Sequence, residues 1–151
     1  EKQVKPDGWQ AKAIRNTVID FGSVNELFEK AERTHSKLIL DMLKKLVNSE
    51  FTNILERQFG IGWGNRFEAQ SLRFISVYKD CGGHEADALE HLLITRVLRK
   101  GKVLGRYDIS IDKLKDLKSA LSKMFKSING TATKAIEIIE SEITRKEEGV
   151  Y

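Results

Sequence analysis

The residues of this chain best placed to do chemistry are glycines and arginines. In FGIGWGNRFEAQ, Phe59 to Gln70, Gly60, Gly62 and Gly64 surround a tryptophan and run into Asn65 and Arg66. Alternating glycines ahead of a helix bare their backbone amides, and those amides join the positive end of the helix dipole in attracting phosphate. The same spacing also suits a hinge between two helices. A P-loop requires GxxxxGK[ST], so that a lysine reaches the terminal phosphates and a hydroxyl holds magnesium, and this stretch has no lysine at that place. A dinucleotide fingerprint requires a strand leading into the glycines, and no clear strand does so. Gly60, Gly62 and Gly64 therefore read as a hinge. Arg66 falls in the first turn of the next helix, where free amides add to its own charge. It is either a docking point for an anion brought from elsewhere or a surface arginine after a hinge.

A second candidate is the run RVLRKGKVLGR, which carries Arg96, Arg99, Lys100, Lys102 and Arg106 with no acid among them. Such a run suits phosphate, nucleic acid or an acidic partner surface. Cations at a helix C-terminus, matched to its dipole, account for it more simply. Lys113, Lys115, Lys118, Lys123 and Lys126 fall on the polar side of the following helix, with Asp116 among them, and read as a solvated face.

Other chemistries are poorly supported. Cys81, His84, Asp87 and His91 are of metal-ligating types, but a closed zinc site shows paired Cys or His on both sides, and this cluster has no partner, so no metal is expected. One Cys and three His occur without the surroundings of a nucleophilic site. KLILD, Lys37 to Asp41, imitates a Walker B strand but lies inside a helical periodicity. No autonomous active site can be built from these residues, and the chain is not expected to be an enzyme on its own.

The elements that must position these residues are helices. The chain has 151 residues, 40% hydrophobic and 32% charged, which suits one domain with a core of its own. A single proline leaves long windows for helices. The net charge of +4 is a mild basic bias, since 26 basic residues interleave with 22 acids. One cysteine excludes an internal disulfide, and no apolar run reaches the roughly 18 residues of a membrane span. A reduced cytoplasmic setting is the expectation. The abrupt opening EKQVKPDGW reads as a piece cut from something longer.

Along the chain, a short helix is expected over Gln10 to Ile19, closed by Gly22. Next, Ser23 and Glu26 have capping-box spacing ahead of a stripe of Val24, Leu27, Phe28, Ala31, His35, Leu38, Met42 and Leu46. A short helix over Glu50 to Gln58 leads into the glycines. Beyond them SLRFISVYK alternates like a strand, but the upstream Asn65 and Glu68 have cap spacing and favour a helix. Gly82 and Gly83 end it, and HEADALEHLLITRVLRKG follows with acids first and bases last. Asp112 is expected to cap a helix carrying Leu114, Leu117, Leu121, Met124 or Phe125, and Ile128, stopped by Asn129 and Gly130. Thr131 or Thr133 then starts a last helix striped by Ala135, Ile136, Ile139 and Ile143. The expected fold is all-α, a single helical domain of about five to seven helices.

GIGWGNRFEAQSLRFI, followed by ADALEHLLITRVLRKGKVLGR, resembles the C-terminal helical lid of McrB-like AAA+ NTPases, the motor subunits of modification-dependent restriction systems. There, a glycine-aromatic-glycine turn precedes an arginine-led helix reading broadly RV-x-x-EI-x-x-FI, and a later helix reads ALD-x-x-I-x-x-KVLPKL-x-G. Arg66 and Phe67 match the start of the first motif, and Phe74 and Ile75 its FI. Ala88 and Leu89 match the AL of the second, Glu90 replaces its acid, and Val97, Leu98 and Arg99 match its KVL-type end. The likeness spans roughly Phe59 to Phe125 and departs at the missing proline and the extra Gly101 loop.

The resemblance implies that ATP or GTP with Mg is bound by an upstream core absent from this chain, over which the lid closes. It implies a leading segment at 1–22, a lid-like domain at 23–130 and a C-terminal helix at 131–151. Arg66 is then the candidate for the nucleotide-sensing arginine, with Arg73 second. Implied partners are that core, neighbouring subunits of a ring and DNA met through the intact assembly, with no membrane. The alternative is a stand-alone helical module that binds nucleic acid or protein through the 96–106 run.

Overall fold

Asp20, three residues before the serine expected to cap it, starts the first helix, α1 (Phe21–Val47). Its carboxylate accepts from the Ser23 backbone N–H at 2.8 Å and from the Ser23 hydroxyl at 3.1 Å. Those two bonds hold the Asp20 carboxyl below its ordinary range. A carboxylate is a stronger acceptor than a hydroxyl at the positive end of a helix, so Asp20 wins the cap. Ser23 becomes the third helical residue, and Gly22 sits inside the first turn instead of closing an earlier helix. The computed structural model describes residues 20–149; the helix expected over 10–19 lies outside them.

Five further helices follow: α2 (Glu50–Ile54), α3 (Asn65–Asp80), α4 (Glu85–Arg96), α5 (Ile111–Ser127) and α6 (Thr133–Glu147). Among the described residues the fold is all-α, a single helical bundle without strands. The helix expected over Glu50 to Gln58 changes character part-way: Leu55–Phe59 form a π-helical turn. Gly60 ends it in the left-handed region, φ 68°, where a side chain would be strained. Its N–H and that of Ile61 both reach back to the Leu55 carbonyl, closing the turn.

Two other starts differ from expectation. Gly64, in extended backbone and without a side chain, is the N-cap of α3, so Asn65 is the first helical residue and not its cap. Ser110 caps α5 through Lys113 N–H at 3.3 Å, and Asp112 becomes an acid in the first turn. α4 stops at Arg96, leaving Arg99 and Lys100 in the turn beyond. There the chain folds back to bury Val97, Leu98 and Val103, each at most 2% exposed, and that burial outweighs another helical turn.

The apolar stripes meet in one core. Ile39, Met42, Leu43 and Leu46 of α1 pack with Phe51 and Leu55, with Leu89 and Leu93 of α4, and with Leu114, Leu117, Leu121 and Phe125 of α5. Ala135, Ile139 and Ile143 of α6 join the same cluster. α1 lies along α3, α3 against α4, and α5 against α6 and α2. Of the stripe read on α1, Leu27 is 64% and Leu38 44% exposed: the core covers only part of this face.

α6 has no cap from its own sequence, because Ala132 precedes it. Glu90, buried on α4, accepts the Ala135 N–H at 2.9 Å and supplies the missing partner. This is a capping bond across 45 residues. Glu90→Ala leaves a buried amide orphaned, which costs about 1–3 kcal/mol. We expect a loss of that size in urea-determined stability, with Glu90→Gln, which keeps the acceptor, recovering most of it.

Candidate functional site

The segment carrying the basic run is pinned from three directions. Arg106 donates through Nη1 to the Phe59 carbonyl at 2.7 Å and to the Lys102 carbonyl at 3.1 Å. Its Nε and Nη2 grip the Asp108 carboxylate. From α6, Glu142 accepts the Gly105 N–H at 2.8 Å, and Lys146 donates to the Arg106 carbonyl at 2.7 Å. Because Phe59 ends the π turn, Arg106 also binds the basic segment to the glycine loop.

The two stretches singled out in the sequence therefore face each other. A groove of about 420 Å³ is lined by Ile61, Gly62, Trp63, Gly64 and Phe67 on one side. Thr95, Arg96, Val97, Arg99 and Lys102 line the other. Trp63 is fixed in the wall: its indole N–H donates to the Thr52 hydroxyl at 2.9 Å, and its ring stacks on Phe67 with centroids 4.4 Å apart. Thr52 in turn donates to the Leu46 carbonyl at 2.5 Å, anchoring the wall to the end of α1. Arg96 donates to the Gln70 side-chain oxygen at 2.9 Å, a neutral partner that leaves its charge uncompensated.

The remaining sequence candidates have other places. Arg66 is exposed on the first turn of α3, outside the groove lining. α3 receives no side-chain hydrogen bond at its N-cap, unlike α1, α2, α4 and α5. Arg73 is paired with Glu32 of α1, which raises its pKa, and it lines a different groove between α1 and α3. Lys100 is exposed, and its aliphatic stem lies over Gly105. Arg106 serves the clamp just described.

His84 caps α4, accepting the Ala86 N–H at 3.2 Å, and His91 stacks on Phe74 with centroids 5.8 Å apart. Among the described residues no three Cys, His, Asp or Glu side chains form a metal-holding group. No described helix is long and apolar enough to cross a membrane. Thr95 belongs to the groove but carried no role in the sequence reading, and Trp63 and Phe67 entered it only as parts of the lid-like motif, not as a binding wall. The alternation of glycine and aromatic residues was their one local signal.

Asp108 supplies a pH test of the clamp. The Arg106 guanidinium hydrogen-bonded to it holds its carboxyl below the ordinary range. A depressed pKa adds stability that is fully present above the unfolded value, about 4, and is lost as pH falls through the lower folded value. Asp108→Asn should remove that contribution at neutral pH and make the acid limb of the stability curve shallower. Urea midpoints from about pH 2 to 7 read both effects.

Protein-family models, curated proteins and solved structures, compared with this chain, give no match, so what bears on function is the chemistry of the groove and of Arg66.

Proposed function

We propose that the chain is the C-terminal helical lid or regulatory module of an AAA+ NTPase, closing over a nucleotide held by an upstream core. The observation that carries this reading is Arg66. It stands exposed on the first turn of α3, with no ion pair among the described residues. The N-cap beside it, Gly64, has no side chain to occupy the first amides. An anion approaching the start of α3 meets a guanidinium, bare N–H groups and the positive end of a sixteen-residue helix. Arg96, Arg99 and Lys102 extend the positive potential along the adjoining groove.

In this reading the bound nucleotide is ATP or GTP with Mg, held by the core, and Arg66 stabilises charge on the transferred phosphoryl group. Arg73 is the weaker candidate, because Glu32 already neutralises it. Gly60, Gly62 and Gly64 set the angle of α3 and give the lid its hinge. The fold without the core has no lysine-bearing phosphate loop, so the isolated chain does no hydrolysis. The setting is cytoplasmic, within a ring of subunits.

The reading predicts a P-loop encoded upstream of Glu1 in the same reading frame; a start codon abutting this segment rules the lid out. In the intact protein, Arg66→Ala should lower NTP turnover by on the order of a hundredfold or more while leaving its thermal midpoint unchanged. Full activity in that variant assigns the phosphate contact elsewhere.

A further inference from the structure

We propose that the groove between the glycine loop and the turn after α4 binds single-stranded nucleic acid. Its phosphodiester backbone would lie along Arg96, Arg99 and Lys102, with an unpaired base against the Trp63 wall. The inference goes beyond the lid reading and stands without it.

Charge is the first ground. Among the described residues, Arg73, Lys79, Arg106 and Lys118 are each paired with a carboxylate. Arg96, Arg99 and Lys102, which line the groove together, form no ion pair among the described residues. Three neighbouring cations without counter-charge repel one another, and a polyanion relieves that repulsion while releasing its own condensed counterions. The backbone that carries the cations is pre-placed, because Val97, Leu98 and Val103 are buried beside them and the Arg106 clamp fixes the turn. Pre-placement lowers the entropy lost on binding.

The facing wall decides the kind of polyanion. Trp63 and Phe67 form a stacked pair that lines the same groove as the cations, and the Thr52 bond holds the indole in its orientation. Aromatic side chains beside a basic track stack on bases of single strands, whereas in a duplex those faces are already covered. A groove of about 420 Å³ is within the range of small-ligand sites. Gly62 and Gly64 keep the rim low: nothing lies within 4 Å of where a Cβ on Gly64 would stand. Next to Gly62 the nearest such atom is Glu56 Oε1 at 4.0 Å, and this carboxylate repels phosphate from the glycine side. The backbone is thereby directed to the Arg99 side and the base to Trp63.

The test uses the full chain and a fluorescein-labelled oligothymidylate of about 15 nucleotides, followed by anisotropy between about 50 and 200 mM salt. Neutralising three phosphates predicts a slope of log K against log salt near about −2. Arg99→Glu and Lys102→Glu should each weaken binding by about tenfold or more. Lys126→Glu, the same charge change at the end of α5, should stay within about threefold of the parent. Trp63→Leu should cost on the order of ten- to a hundredfold, with Trp63→Phe retaining most affinity. Should Trp63→Leu fail to fold by circular dichroism, quenching of Trp63 emission by unlabelled oligothymidylate in a Trp9→Phe chain reads the same contact. Equal losses in Arg99→Glu and Lys126→Glu, a duplex binding as tightly as the single strand, or inorganic polyphosphate competing as well as the oligonucleotide without Trp63 quenching would each overturn the proposal.

Discussion

The guanidinium of Arg106 is the interaction on which the candidate surface depends. The segment between α4 and α5, residues 97–110, has its own backbone groups to satisfy, and most of them cannot be satisfied by helical bonds. Arg106 spans the Phe59 carbonyl, the Lys102 carbonyl and Asp108 with one planar group. A lysine has no fork that reaches two carbonyls and a carboxylate at fixed angles. The clamp joins the end of the π turn to the far end of the basic segment, so the two stretches are bonded to each other directly. Other bonds hold each side to the rest of the bundle, Trp63 to Thr52 on one and Gly105 to Glu142 on the other, but neither of them joins the π turn to the basic segment.

Two buried carboxylates extend the same logic to α6. Glu90 is 7% exposed and Glu142 3% exposed, and removing a charge from water is costly unless its oxygens find donors. Glu90 meets the uncapped start of α6, where the helix dipole favours a negative charge. Glu142, on the other end of α6, meets the Gly105 amide in the basic turn. The last helix is thus tied at one end to α4 and at the other to the groove, in addition to the contacts of Ala135, Ile139 and Ile143 with the core. Each bond satisfies a backbone amide, and so both carboxylates add orientation to the helix packing as well as tolerating burial.

Much of the fold was legible in the sequence because apolar periodicity is a repeated signal. Met42 and Leu46, Leu114, Leu117, Leu121, Met124 and Phe125, and Ala135, Ile139 and Ile143 of the expected stripes are all core, with Ile136 partly buried against it. Caps were less legible because each is decided by a single residue among competitors. Asp20 and Ser23 both qualify, as do Ser110 and Asp112, and the choice turns on acceptor strength and on which apolar residues must face inward. The exposed Leu27 shows the limit of periodicity: a stripe reveals which face is apolar but not how far its cover extends. The site was half legible. The glycine and basic stretches stood out by composition, while their meeting rests on the Arg106 bond to Phe59 across 47 residues, made to a backbone carbonyl that leaves no trace in a side-chain pattern.

The division of labour between Arg106 and its neighbours follows from geometry. All five cations of the segment look alike as a string, yet only Arg106 lies where backbone carbonyls converge, and it is consumed by structure. Arg96, Arg99 and Lys102 are left along the groove because Val97, Leu98 and Val103 next to them turn inward. A short chain that buries its valines and leucines has nowhere but the solvent side for the intervening cations. The uncompensated charge at the groove is therefore a direct outcome of burying the apolar residues. Its position opposite Trp63 follows from the Arg106 bond to Phe59, four residues before that tryptophan.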